Sequence, residues 1–191
     1  MGTLGQDFNY RVIKNFLNKD EIMLLSNYCK MKHVHNQSSF CPVNNNYDTY
    51  YYGDLIMESL VLLKQKIVEQ ESNLKLLPSY SYWRFYTNNS ELTKHKDRPT
   101  CEVSISMNID NCGTSWPIFM DGTPIDLDKG DAVLYLGNLV EHYRKPLEGD
   151  FSAQCFLHYV NANGKHVDAK YDRRVDLGFP PIPPPDSDFT K

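Results

Sequence analysis

The hydrophobic periodicity of the chain changes near Ser79, and that change constrains the fold more than any other feature. Before it, apolar residues recur at helical spacing. Asn18-Lys-Asp-Glu21 reads as a helix start, with an Asx residue at the N-cap and Glu three residues on. Ile22, Leu24, Leu25 and Cys29 form an apolar stripe after it. A second helix is predicted from near Asp54, with Leu55, Ile56, Leu60, Leu63 and Ile67 at helical spacing and Pro78 as its boundary. From Ser79 a period of two takes over. Ser79–Thr87, Cys101–Ile109, Trp116–Met120, Asp131–Gly137 and Ala153–Val160 are predicted strands, and a short strand, Tyr10–Ile13, opens the chain. Asp121-Gly122 is a hairpin signal between Trp116–Met120 and Pro124–Leu127. Two helices followed by a run of antiparallel strands predict a mainly β domain with flanking α, the helices packed on one face of a β-sandwich or short barrel.

Two stretches stand outside this pattern. Lys32–Tyr52 is polar and rich in Asn, Ser and Tyr, and reads as a long loop of the kind that is often functional. Phe179-Pro-Pro-Ile-Pro-Pro-Pro185 opens a Pro-rich tail, 179–191, expected to be extended polyproline II. The 191 residues suit one domain spanning 1–191. A formal net charge of −4 argues against a sequence-independent grip on nucleic acid, leaving a small molecule or peptide as the expected partner. The five cysteines form no CxxC pair, which argues against a disulfide framework and fits a reducing, cytoplasmic setting. The start MGTLGQDFNYRVIKNF shows no signal-peptide pattern, and no apolar stretch is long enough to span a membrane.

His95-Lys96-Asp97 is the motif that points to chemistry. In an extended segment residues i and i+2 share a side, so His95 and Asp97 can face inward together. His142 lies just beyond the predicted strand Asp131–Gly137. Two imidazoles and one carboxylate on one face of an octahedron suit ferrous iron and leave three positions open. The motif alone is a weak signal, and a surface-loop pair is the competing reading. A second copy, His166-Val167-Asp168, has no histidine downstream to complete a triad.

Further motifs occur in order along the chain. Tyr10-Arg-Val-Ile-Lys-Asn-Phe-Leu-Asn-Lys-Asp-Glu21 leads from a strand into the first helix. Trp83-Arg-Phe-Tyr86 precedes the HxD turn, Cys101-Glu-Val-Ser-Ile-Ser-Met-Asn108 comes after it, and Lys129-Gly-Asp-Ala-Val-Leu-Tyr135 leads to Glu141-His-Tyr-Arg144. Together they resemble the prolyl 4-hydroxylase-like branch of the iron(II)/2-oxoglutarate oxygenases, over roughly Tyr10 to Asn161. The resemblance implies a double-stranded β-helix, or jelly roll, with iron held by His95, Asp97 and His142. It also implies a dioxygenase that hydroxylates a C–H bond, with 2-oxoglutarate and O2 as cosubstrates. Prolyl hydroxylation of a peptide or protein is the nearest analogy; a free amino acid, another small metabolite or a nucleobase stays open.

The sequence departs from that pattern at one place. The family carries a Lys or Arg about ten residues after the distal histidine, where it pairs with the far carboxylate of 2-oxoglutarate. Here that position falls near Ser152, with no basic residue at hand, and this favours a non-catalytic metal- or ligand-binding module as the alternative. Arg144, on the inward side with His142, is the replacement candidate. Tyr86 is the second and Arg84 the third, with Ser152 and Gln154 as hydrogen-bonding groups. Arg98 and Trp116 are candidate substrate contacts. His158 is expected to be structural or to support the metal ligands, and His33 and His35 are expected to be solvent-exposed.

Overall fold

Local signals set the helix boundaries. Glu21 N donates to Asn18 Oδ1 at 2.9 Å and Asn18 N to Glu21 Oε2 at 2.8 Å, the reciprocal capping box expected from the sequence. Helix α1 (Lys19–Ser39) starts there. Asp54 caps α2 (Leu55–Ser72) by accepting from Ile56 N, and Asn73 ends it in the left-handed conformation, φ 54°. The computed structural model describes residues 9–39 and 48–180. The Pro-rich tail beyond Pro180 lies outside the described residues. No helix among them is long and apolar enough to cross a membrane.

Ten strands are described: β1 (Tyr10–Ile13), β2 (Thr49–Tyr52), β3 (Leu76–Thr87), β4 (Leu92–His95), β5 (Val103–Asn111), β6 (Ile118–Met120), β7 (Thr123–Ile125), β8 (Ala132–Tyr135), β9 (His142–Arg144) and β10 (Phe151–Asn161). They form two antiparallel sheets, β1-β8-β5-β10-β3-β2 and β4-β9-β6-β7, the jelly-roll arrangement expected. Alternation divides the large sheet into two unlike faces. Trp83, Phe85, Val103, Ile105, Met107, Cys155, Leu157 and Tyr159 face the helices, where they meet Leu25, Cys29, Met57 and Val61 in the main core. The opposite face carries Tyr80, Tyr82, Arg84, Tyr86, Ser104, Ser106, Asn108, Gln154 and His158. A polar sheet face usually meets water. Here the small sheet covers much of it, and Ser104, Ser106, Gln154 and His158 are buried. A buried polar interior is what positions the site.

Several expectations need correction. Lys32–Tyr52 is not one long loop: α1 runs to Ser39, and Thr49–Tyr52 pairs with β3 as an edge strand. Tertiary contacts override the polar composition there, since Tyr51 stacks on Trp83 and His33 on Phe85. His33 is therefore half-buried and bonds Thr49 Oγ1 at 2.9 Å, whereas His35 is exposed as expected. Helix α2 buries Met57, Leu60, Val61, Lys64 and Val68, while Leu55, Leu63 and Ile67 face outward. Its sequence is apolar nearly all round, so periodicity does not select a face. On α1, Leu24 is exposed as well. Buried Lys64 is carried by the Glu21 carboxylate at 2.7 Å. Pro78 lies inside β3 rather than ending α2. It falls beyond the reach of β2 and beside a bulge at His158/Tyr159, where a missing N–H costs no ladder bond.

The strand run itself is as expected, with shifted ends. Pro99–Cys101 is a single 3-10 turn, and β4 and β9 are strands that the sequence pattern does not mark. Asp121-Gly122 makes the expected two-residue turn between Met120 and Thr123, both central residues having positive φ (47° and 83°).

Candidate metal centre and its polar cavity

Strands β4 and β9 pair so that His95 lies opposite His142. This brings the two imidazoles to a centroid distance of 4.2 Å. Asp97 sits two residues past the end of β4, its backbone N–H held by Gly137 O at 2.8 Å. Asp97 Oδ1 lies 3.5 Å from His95 Nε2 and 3.5 Å from His142 Nε2. One ligand atom from each of the three side chains falls within 4.8 Å of the others, so the structure brings the sequence triad together.

The surrounding hydrogen bonds fix which atoms face the common point. His95 Nδ1 bonds Thr93 O at 2.8 Å, and His142 Nδ1 bonds Val140 O at 3.0 Å. A carbonyl only accepts, so each Nδ1 carries a proton and each Nε2 is the atom turned toward the Asp97 carboxylate. Asp97 Oδ2 accepts from Ser104 Oγ at 3.3 Å and from Tyr135 OH at 3.5 Å, which leaves Oδ1 toward the imidazoles. Ligands oriented in this way by their other polar atoms are what a metal site requires. Burial works to raise the Asp97 carboxyl, but hydrogen bonding with His142 and His95 outweighs it and holds the group well below the usual carboxylate range. The same Asp97 contact raises His95. A divalent cation would take the place of the shared protons, so metal binding at this site is coupled to proton release.

Asp97, Cys101 and His158 form a second possible ligand group. Its chemistry is poorer. Burial pushes the Cys101 thiol up to about 12, which disfavours the thiolate a metal needs, and Tyr80 OH already lies 3.1 Å from the sulfur. His158 Nδ1 instead bonds Ser104 Oγ at 2.9 Å, and burial lowers its imidazole to about 4, keeping it neutral. It bonds the same serine hydroxyl that donates to Asp97.

A cavity of about 280 Å³ opens beside the triad, lined by Asp97, His142, Tyr80, Tyr82, Arg84 and Phe156 among others. Arg144 lies two residues past His142 and crosses the barrel interior. It is 2% exposed, and among the described residues no carboxylate lies within ion-pair distance. Its guanidinium donates to Trp116 O and to Gln154 Oε1 (3.1 Å), while Nε has no partner. Gln154 Nε2 in turn donates to Ser152 Oγ at 2.7 Å and Asn108 Oδ1 at 3.2 Å. The buried Ser106 hydroxyl also has no partner. Burial lowers Arg144 to about 10, so it is still a cation at neutral pH.

The other predicted residues fall at different places. Tyr86 is fully buried, with Arg84 over its ring at 4.4 Å and Trp116 edge-on at 4.8 Å. Arg84 lines the cavity but is held by Asp48 at 2.5 Å. Trp116 packs over Arg144 at 4.8 Å and donates to Lys145 O, walling the interior. Arg98 points from the triad toward Asp172 (2.7 Å) and lies over Tyr80 at 4.7 Å. In the second HxD copy, Asp168 pairs with Arg173 in an exposed segment. Sequence reasoning missed Ser104, Tyr135, Ser106 and Asp48. The Val103-Ser-Ile-Ser-Met-Asn108 alternation carried a signal for two of them, because it marks one polar face.

No protein-family model and no curated protein matches the chain. Solved structures match its fold. A Pseudomonas putida prolyl-4-hydroxylase aligns over 80% of this chain and 92% of its own, with TM-score 0.61 and 16% identity. The viral collagen prolyl hydroxylase of Paramecium bursaria chlorella virus-1, solved as a 2-oxoglutarate complex, aligns over 83% and 98%, with TM-score 0.61 and 14% identity. SnoK, a non-haem α-ketoglutarate-dependent carbocyclase of nogalamycin biosynthesis, aligns over 92% and 89%, with TM-score 0.65 and 11% identity. The chain shares the fold of these enzymes.

Proposed function

We propose that the protein is an iron(II)- and 2-oxoglutarate-dependent oxygenase, with hydroxylation of a C–H bond as its reaction. The observation that carries this reading is the pairing of two features in one barrel. A His95/Asp97/His142 triad presents three ligand atoms, and a buried guanidinium, Arg144, lacks an anionic partner. The donor set of two imidazoles and one carboxylate fits ferrous iron and leaves coordination positions for a chelating keto acid and dioxygen. Bound iron and 2-oxoglutarate supply the oxidising power, dioxygen being consumed as the keto acid is decarboxylated to succinate and carbon dioxide and an oxygen atom enters a C–H bond.

The protein's own residues have three tasks. His95, Asp97 and His142 hold the metal, and the Thr93 and Val140 carbonyls keep the imidazoles in the ligating tautomer. Arg144 offers the dianionic cosubstrate a charge-assisted, fork-shaped partner. Its position beside Gln154 replaces the basic residue that the resemblance leads one to expect near Ser152. Gln154 and Ser152 continue the hydrogen-bond chain from Arg144, the free Ser106 hydroxyl is buried on the same sheet face, and Tyr86 lines the cavity. Trp116, Tyr86 and Phe156 exclude water from the same space.

The carbocyclase among the similar folds warns that the fold does not choose the outcome at the substrate carbon. Prolyl hydroxylation of a peptide is the leading substrate reading, with a small metabolite as the alternative. A non-catalytic binding module rests mainly on the missing basic residue near Ser152, and Arg144 removes most of that support. Free thiols at the buried Cys29, Cys101 and Cys155 favour a reducing, cytoplasmic setting.

Anaerobic titration with ferrous iron and 2-oxoglutarate, then a succinate assay in air, tests the proposal. The expected result is stoichiometric iron binding, a visible charge-transfer band and slow uncoupled succinate formation. Asp97→Ala should lose all three. Iron-loaded protein that neither binds nor decarboxylates 2-oxoglutarate would overturn the reading in favour of the binding module.

A further inference from the structure

The register of the large sheet builds one row of side chains beside the triad. His158 on β10 lies opposite Tyr80 on β3 and Ser104 on β5, and Ser104 lies opposite Tyr135 on β8. Alternation turns all four into the barrel, and all four are buried. The row closes on the metal carboxylate. Ser104 Oγ lies 3.3 Å from Asp97 Oδ2, and Tyr135 OH lies 3.5 Å from the same oxygen. One step back from the carboxylate, His158 Nδ1 lies 2.9 Å from Ser104 Oγ.

The direction of these bonds follows from counting protons. Ser104 has one hydroxyl proton and three polar neighbours: His158 Nδ1, Asp97 Oδ2 and the Cys101 carbonyl at 3.1 Å. The carbonyl and the ionised carboxylate only accept. A serine proton given to His158 would turn oxygen lone pairs toward both of them. His158 Nδ1 is therefore the donor, and the serine proton goes to the oxygens, of which charged Asp97 is the stronger acceptor. We propose that His158 is a positioning residue that acts through the Ser104 hydroxyl to keep Asp97 a one-oxygen metal ligand.

The proposal rests on the metal site of the oxygenase reading and adds two residues outside its ligand set. A carboxylate binds a metal through one oxygen or through both. A second oxygen from Asp97 would occupy a position that the keto acid and dioxygen need. A serine hydroxyl turns freely about its bond, and alone it is as well satisfied by the Cys101 carbonyl as by Asp97. The N–H from His158 fills a serine lone pair and polarises the O–H toward the oxygens beyond it. The imidazole is itself fixed, with the Tyr80 ring 4.5 Å away. Its place in the cavity wall needs a reason, because an apolar ring there would avoid the cost of burying polar nitrogens.

Calorimetric titration of the full chain with cobalt(II) tests the proposal without turnover. His158→Phe and Ser104→Ala should each weaken cobalt binding roughly 10–100-fold. His158→Asn, whose amide nitrogen takes the place of Nδ1, should recover most of that loss. The double variant should lose no more than either single one, because both changes cut the same path. The visible absorption of bound cobalt weakens as its coordination number rises. It should therefore be weaker in His158→Phe than in wild type or His158→Asn. Wild-type affinity in His158→Phe would overturn this inference alone. So would equal losses in the Phe and Asn variants, or losses that multiply in the double variant. If His158→Phe does not fold by circular dichroism, Ser104→Ala decides, and wild-type affinity there overturns the inference. Wild-type protein that takes up no cobalt would overturn the metal-site reading and this inference together.

Discussion

Gly137 has no side chain where Asp97 needs the space: a Cβ built on it would lie 2.5 Å from Asp97 Oδ2 and 2.3 Å from the Cys101 carbonyl oxygen. Contacts under 3 Å to backbone do not relax cheaply. Gly137 also accepts the Asp97 N–H through its own carbonyl, so one residue sets both the height and the direction of the carboxylate.

Gly137→Ala is therefore expected to push Asp97 off the point it shares with His95 and His142. Loss of a supporting contact at a metal ligand costs about 10–100-fold in affinity, and the overpacking costs about 1–3 kcal/mol of stability. Isothermal titration with ferrous iron or a redox-inert divalent metal checks the first figure, and thermal unfolding the second. Wild-type metal affinity in this variant would mean that the 97–101 turn moves as a unit and that the close approach is incidental to the site.

Arg144 gives a prediction with opposite signs in two states. Burying an unpaired cation is costly, so Arg144→Met should leave the ligand-free protein as stable as wild type or more so. The same change should raise the 2-oxoglutarate requirement at least about 30-fold, the equivalent of ~2 kcal/mol for a lost charge-assisted pair. Arg144→Lys keeps a charge but cannot reach Trp116 O and Gln154 Oε1 together, so partial recovery is expected. Denaturant unfolding without ligand and a succinate assay across 2-oxoglutarate concentrations read the two effects. A destabilised ligand-free Arg144→Met protein would show that the guanidinium serves packing alone.

The His95/Asp97 pair and the strand order were legible because both are short-range signals: HxD sets its two side chains on one side by spacing, and alternation fixes which residues share a face. His142 is distant in sequence and came from its place beyond a predicted strand and from the family resemblance. What escaped the sequence depends on contacts between distant segments. Nothing local says that Lys64 is buried, because Glu21 on the other helix supplies its charge partner. Nothing local turns α2 so that Met57 rather than Leu55 faces the sheet, since both sides of that helix are apolar. Tyr51 is strand rather than loop because Trp83 offers it a ring. Arg144 could be placed inward by alternation from His142, but its isolation from every described carboxylate needed the fold.

Glu58 and Arg174 test how the C-terminal segment is fastened. Their side chains are both buried and meet at 2.6 Å, and Arg174 also donates to Ser79 O, Tyr171 O and Phe179 O. Glu58→Gln removes one charge and strands the other in the interior, a change that costs about 3–5 kcal/mol. Proteolysis should then cut between Arg173 and Phe179 faster than elsewhere. Cleavage at an unchanged rate, with wild-type thermal stability, would show that the pair is replaceable by its backbone contacts.

Asp110 predicts the acid limit of the fold. It anchors α1 and the β7–β8 turn to β5 through Ser26 (2.5 Å), Lys30 (2.6 Å) and Lys129 (2.5 Å). Burial acts to raise its carboxyl, but bonds from Lys129, Lys30 and Ser26 outweigh it and bring the group down to about 2. A folded-state value below the unfolded one means that the unfolded chain takes up the proton first as pH falls. The contribution is fully present above about pH 4 and is lost as pH falls through 2. Asp110→Asn should therefore cost stability at pH 7, about 1–2 kcal/mol because both lysines are half-exposed. Its denaturation midpoint should fall less steeply than wild type between pH 4 and pH 2. Parallel pH profiles for the two proteins would remove Asp110 from the acid transition and assign it to other carboxylates.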